Sequence, residues 1–295
     1  MSTTTGPSRT LGSPSPSQLA LRRFGRNTRA MISLVGAVLI GLGTVVVPLL
    51  SPHPYDEPDW NAIQSQPNGT YWFGTDALGR DLLVRAFIGG RISFAVGLLA
   101  TVVAVLIGVA YGSIAGYLGG RVDLLMMRIV DILYGLPYLL IVIIAMTLFE
   151  SRSFVLVFLV LGLFSWLTMS RIVRGQVLSL REREFVEAAR ALGVGTTAII
   201  VRHLLPNFLG PVIVYTTLTI PSVMLSEAFL SFLGLGISEP MTSWGVLINE
   251  GANAMSSEGI SWWLIVFPGA LFTCTLYGLN GIGDGIRDAF DVQQH

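Results

Sequence analysis

The chain has 295 residues, 52% of them hydrophobic and 12% charged, with a formal net charge of zero. That is about half the charge of an average soluble domain, and with a mean hydropathy of +0.68 it places the chain among membrane proteins and argues against a nucleic-acid partner. One cysteine, Cys274, excludes a disulfide framework, and the scattered His53, His203 and His295 have no ligand spacing for a metal centre.

In chain order, residues 1–20, rich in Ser, Thr, Pro and Gly, cannot bury a core and read as disordered, and with the basic Arg22, Arg23, Arg26 and Arg29 they make a tail over 1–29. Six apolar segments follow, at 31–50, 92–116, 126–149, 154–173, 208–234 and 262–283. Each is long enough for a hydrocarbon core of about 30 Å, which takes about 20 helical residues. The first, in the unit 30–50, is too long for a signal peptide and lacks a small-residue cleavage site, so it reads as an uncleaved anchor. Residues 51–91 form an outer loop, with the Pro-rich SPHPYDEPDW, and an interfacial helix. In the second segment Gly108, Gly112 and Gly116 share one face and let another helix come close. Pro137, Pro211, Pro221 and Pro268 predict kinks in the later segments.

Two acids lie within the apolar segments and are functional candidates for that reason. Asp131 stands one turn from Arg128, which predicts a local ion pair, whereas Glu227 has no sequence-local partner and is open to a role in a passage or in packing. The last loop, 235–261, contains PMTSWGVLI, which fits a segment lying along the membrane surface, and 285–295 form a tail. All basic residues are arginines. With both termini inside, fourteen of them fall on the inner side and only Arg80, Arg85, Arg91 and Arg152 on the outer side, the bias of the positive-inside rule.

Between the fourth and fifth segments runs the charged stretch REREFVEAARALGVGTTAIIVRHLLPN, on the inner side. Ser179 and Glu182 have capping-box spacing, and Gly193 sits where a helix stops with a left-handed residue. Phe185, Ala188, Ala189 and Leu192 share one face, with Arg183, Glu187 and Arg190 as a charged row. A second helical piece through AIIVRHLL leads to Pro206. A short amphipathic helix with small residues at 188 and 189 fits the groove of a partner.

EAARALG followed by HLLP resembles the EAA loop of ABC-importer permeases, in their dipeptide and oligopeptide branch. Glu187, Ala188, Ala189, Gly193, Leu205 and Pro206 match that pattern in register, with Arg190 and Leu192 inside it, while His203 stands where the pattern has isoleucine. FGTDALGRDLLVR from Phe73, SEAFLSFLGLG from Ser226 and GDGIRDAFD from Gly283 resemble the same branch, so the likeness runs from about residue 72 to the C-terminus.

The resemblance implies an all-α polytopic membrane protein of the type I importer fold, with a core at 92–284 that includes the cytoplasmic EAA loop 179–207. It implies a bacterial inner-membrane subunit rather than an enzyme, with both termini cytoplasmic. Its partners would be membrane lipid, a second homologous permease, two ATP-binding subunits that hold ATP and Mg²⁺, and an external solute-binding protein. The absence of lysine agrees, because a nucleotide-binding P-loop needs one. Residues 181–205 would be the coupling helix, and Asp76, Gly79, Arg80 and Asp81 would brace the outer mouth or touch the binding protein. Di- or oligopeptides are the implied cargo, with nickel and glutathione as other cargoes of the branch. An ion-coupled transporter using Asp131 or Glu227 is the competing class. An intramembrane enzyme is disfavoured by the lack of any HExxH spacing or nucleophile beside a base.

Overall fold

The computed structural model of the chain describes residues 16–148, 153–255 and 261–290. Among them the regular elements are all helices, apart from one isolated β-bridge between Thr75 and Asp81. Helix α1 (Pro16–Arg26) and the long α2 (Thr28–Leu50) lead to a long loop, and α3 (Leu82–Leu118) follows. Next come α4 (Gly120–Gly135), α5 (Tyr138–Leu148) and α6 (Phe154–Leu180), then the short α7 (Glu184–Ala191). The stretch Thr196–Phe232 is one long helical span made of α8 (Thr196–Ala198), a π-helical turn Ile199–Leu204 and α9 (Leu205–Phe232). Helix α10 (Trp244–Asn253) precedes the final α11 (Trp263–Phe290). Five helices are long and apolar enough to cross a membrane, and the pair α4–α5 makes a sixth if taken as one broken span.

The glycine spacing on α3 has the consequence its sequence predicts. A methyl at Gly108 would sit 2.6 Å from the Met169 side chain, one at Gly112 would run into the Ser170 carbonyl, and one at Gly116 would come within 3.0 Å of Val177. Helices α3 and α6 therefore pack backbone to backbone along these three turns. In lipid, where hydrophobic burial drives no association, such contact is what holds helices together. A comparable stripe on α11, Gly278, Gly281 and Gly285, meets Ala30, Ser33 and Ala37 of α2 and was not read from the sequence.

Several boundaries differ from the sequence reading, for identifiable reasons. Residues 16–26 are helical, with Ala20 buried and Phe24 lying against Gly285 of α11; Asn27 then caps α2 by accepting from the Ala30 amide. The rest of the expected tail, 1–15, lies outside the described residues. No separate interfacial helix precedes the second segment: Asp81 caps α3, which runs unbroken from Leu82 for 37 residues. The third segment begins at Gly120, and its axis turns by 83° between Gly120–Gly135 and Leu140–Leu148. Pro137, which has no amide to donate, sits at that break. Helices α9 and α11 continue through Pro211, Pro221 and Pro268. The expected tail from 285 is helical to Phe290, with Ala289 buried, and 291–295 lie outside the described residues. In PMTSWGVLI, Trp244 and Leu247 of α10 are buried against α3, α9 and α11, so one face of the stretch packs on the bundle.

Candidate functional site

Three places on the bundle concentrate polar chemistry: the α7 loop at one end, a charged network at the other, and a cleft between them.

Helix α7 is a fixed projection. Val186 and Ala189 are buried with Val173 and Val177 of α6 and with Ile199, Leu204 and Phe208 of the following span. Its end is a Schellman motif: Gly193, at φ +76°, donates to the Arg190 carbonyl, and Val194 donates to Ala189 at 3.1 Å while its side chain packs on the same cluster. The expected capping box is absent, because α6 continues to Leu180 and takes Ser179 into its own last turn; α7 starts at Glu184 with Arg183 as its uncapped boundary. The expected common face also divides. Ala189 turns into its own chain, whereas Phe185, Ala188 and Leu192 face outward, Leu192 at 83% exposure.

Arg183, Glu187 and Arg190 close no ion pair with one another, since Arg190 lies over the Tyr117 ring and donates Nε to the Tyr117 hydroxyl at 3.2 Å. A second anchor is Arg181, whose guanidinium donates to the Gly116 carbonyl at the end of α3. Pro206 stands in the first turn of α9, directly after the π-helical turn Ile199–Leu204, where its lack of an amide hydrogen is tolerated. His203 sits in that turn, its carbonyl accepting from Asn207, and Leu205 packs on the α7 cluster.

At the opposite end the charges are turned inward. Asp76 accepts from the Leu78 and Arg80 amides and pairs with Arg80 Nε at 2.7 Å and with Arg85. Arg85, 2% exposed, also grips Glu250 of α10 through both terminal nitrogens at 2.8 and 3.0 Å, and Arg80 reaches Glu239. Gly79 adopts φ +78° where its chain presses on the Asp59 backbone, and Asp81 caps α3 while pairing with His53 at 3.0 Å. Of the expected mouth residues Asp76 and Asp81 are thus buried, and a cavity of about 360 Å³ opens beside Arg80, Glu239 and Glu250. In the same loop the Asn61 amide, then the Tyr71 hydroxyl at 2.9 Å, hold the Asp59 carboxyl below its ordinary value, and the Asp59 bond pushes the Tyr71 hydroxyl up.

Glu227 has the partners its local sequence lacks. It is fully buried and accepts from Ser231 and Ser243 at 2.7 Å each and from Ser93 at 3.3 Å. Ser93 in turn accepts from the Trp244 amide, so one carboxylate ties α3, α9 and the start of α10 together. Asp131 is bonded otherwise than expected: it pairs with Arg171 of α6 at 2.7 Å, not with Arg128, and the Arg171 guanidinium lies 4.3 Å from the centre of the Tyr134 ring. Both candidates are arginines, and what separates them is placement: Arg171, reaching across from α6, has the Tyr134 ring to stack on as well as Asp131 to donate to.

The third place is a cleft of about 300 Å³ where the α4–α5 bend meets α6 and α9, lined by hydroxyl side chains among apolar ones. Sequence reasoning missed it, although Ser165 and Thr168, and Ser222 and Ser226, stand one helical turn apart.

Comparison with known proteins adds the family context. A family described as binding-protein-dependent transport system inner membrane component matches residues 108–292. A second, described as the N-terminal TM domain of oligopeptide transport permease C, matches residues 15–67. The likeness therefore also takes in the N-terminal region that the motifs left out. The chain is 49% identical to the oligopeptide transport system permease protein of Haemophilus influenzae, over 93% of this chain and 88% of that one. It is 50% identical to the Escherichia coli K12 protein of the same description, over 93% and 90%. With the dipeptide transport system permease protein of Bacillus subtilis it shares 44% identity, over 93% and 85%.

Proposed function

The chain belongs to the family of binding-protein-dependent transport system inner membrane components, and from that premise we propose that it passes di- or oligopeptides into the cell as one permease of an ATP-driven importer. It is a multi-pass membrane protein and a transport subunit rather than an enzyme. The names of its relatives support peptides over the nickel and glutathione cargoes of the same branch.

The observation that carries the mechanism is an apolar projection on a rigid base. Phe185, Ala188 and Leu192 stand free on a helix whose other face is locked by Val186 and Ala189 and whose end is fixed by the Gly193 turn. In this reading they seat in an ATP-binding subunit that carries ATP and Mg²⁺. A second permease completes the passage, and a solute-binding protein delivers cargo at the α10 end. The arginine bias supports a cytoplasmic α7 end. Closing of the nucleotide-bound subunits would pull α7 and tilt the helices anchored to it. Reversing a 1:99 equilibrium takes about 5.5 kcal/mol of differential binding, and a locked helix transmits such a load where a loose loop would dissipate it. The ion-coupled alternative would use Asp131 or Glu227, and both are already bonded, to Arg171 and to three serines.

A photocrosslinker at Leu192 should capture an ATP-binding subunit in the assembled importer. Gly193→Val, which strains the left-handed turn, and Glu187→Lys should lower ATP-driven uptake. Wild-type uptake in both variants, or a Leu192 probe that crosslinks no ATP-binding subunit, would refute the assignment.

A further inference from the structure

On the outer face of a membrane helix a polar side chain meets hydrocarbon unless protein or water covers it. Helix α2 obeys that constraint simply, exposing Ile32, Val35, Leu39 and Leu42. The face shared by α4, α5, α6 and α9 does not. Tyr134 and Tyr138 flank the bend, Ser165 and Thr168 lie one turn apart on α6, and Ser222 and Ser226 one turn apart on α9; all six line the same cleft. One turn nearer the α7 end, Asp131 stands three residues before Tyr134 and Arg171 three after Thr168. Their ion pair is open, at 56% and 41% side-chain exposure, and the stacking of Arg171 on Tyr134 makes pair and hydroxyls one continuous strip.

Resting on the reading of the chain as a peptide permease, we infer that this strip is its wall of the peptide passage, and that the Asp131–Arg171 pair keeps the passage indifferent to the charge of the peptide. A peptide brings an ammonium, a carboxylate and side chains of either sign. Hydroxyls both donate and accept, so they replace water around any of these without choosing a sequence. A lone charge in the wall would attract one sign and repel the other. Two opposite charges side by side, each about half exposed at the end of the cleft next to Tyr134, offer a partner to both and leave little net field between them.

The test uses the complete importer, reconstituted in vesicles with its binding protein, and compares uptake of Ala-Lys-Ala with that of Ala-Glu-Ala. Arg171→Gln leaves Asp131 unbalanced and should raise the cationic-to-anionic uptake ratio about tenfold, a modest effect for one charge at close range. Asp131→Asn should lower the ratio by a similar factor. The exchanged pair, Asp131→Arg with Arg171→Asp, should bring it back toward the wild-type value. A link that serves only to hold α4 to α6 would not move the ratio in opposite directions. In a Cys274→Ser background, a charged thiol reagent should slow uptake through Ser222→Cys and leave Leu39→Cys, on the lipid face, unaffected. An unchanged ratio, a shift of the same sign in both single variants, or a Ser222→Cys that the reagent cannot affect while the unaltered importer still works, would overturn the passage assignment alone. Lack of ATP-dependent peptide uptake by the unaltered complex would overturn the functional reading, and this inference with it.

Discussion

At the α10 end of the bundle Arg85 is buried between Asp76 and Glu250, and Glu227 is enclosed by Ser93, Ser231 and Ser243. At the α7 end Glu184, Glu187 and Arg190 are exposed, and the apolar Leu192 projects beside them. The same residue types serve different purposes in the two regions. Buried charges must be answered within the chain, because an unanswered one is severely destabilising. Exposed charges next to a bare apolar side chain cost the isolated subunit little and leave a surface for another protein. The α10 end thus answers its charges within the chain, while the α7 end leaves Leu192 and its neighbouring charges uncovered.

Substitutions at the two ends should separate stability from coupling. Arg85→Leu takes from Glu250 its ion-pair partner and leaves Asp76 to Arg80 alone, and should destabilise the subunit by about 3 kcal/mol, seen as a large fall in thermal unfolding temperature in detergent. Glu227→Ala, which deprives three serine hydroxyls of their acceptor, should cost about 1–3 kcal/mol, and Glu227→Gln should restore most of it; equal losses would mean that charge, not bonding, holds the knot. Leu192→Asp should change stability by no more than about 0.5 kcal/mol yet reduce the amount of ATP-binding subunit that co-purifies. If it unfolds the subunit instead, the contrast between the two ends is wrong. The smallest effect belongs to Asp59. Its folded-state pKa is lowered, so its contribution is present above the unfolded-state value and disappears as the pH falls through the folded one. An NMR titration should find its midpoint below the ordinary aspartate value, and Tyr71→Phe should move that midpoint up.

The sequence was most legible where the signal is local and steric. Gly108, Gly112 and Gly116 announce a close contact through spacing alone, and Gly193 announces a left-handed stop. It was least legible where the outcome depends on which neighbour arrives. Arg128 and Arg171 are equally plausible partners for Asp131 until α6 is placed beside α4. Hydropathy found the spans but not their outward faces, since in lipid both the packed and the exposed sides of a helix are apolar. For that reason the Ser165, Thr168, Ser222 and Ser226 strip merged into segments read only as greasy. Helix α3 starts at Leu82, before the apolar run at 92–116, for a related reason: Arg85 and Arg91 interrupt the apolar pattern, yet Arg85 is neutralised by Asp76 and Glu250 and the helix passes through it.

Helix α3 belongs to both ends. It is 37 residues long and contains no proline, so it spans about 55 Å as a single rod. Arg85 near one tip engages α10, and Tyr117 near the other supports Arg190 of α7. A rod with no proline break has little slack: a displacement at Tyr117 would be carried through to Glu250, so the α7 and α10 ends of the subunit are joined by one shaft.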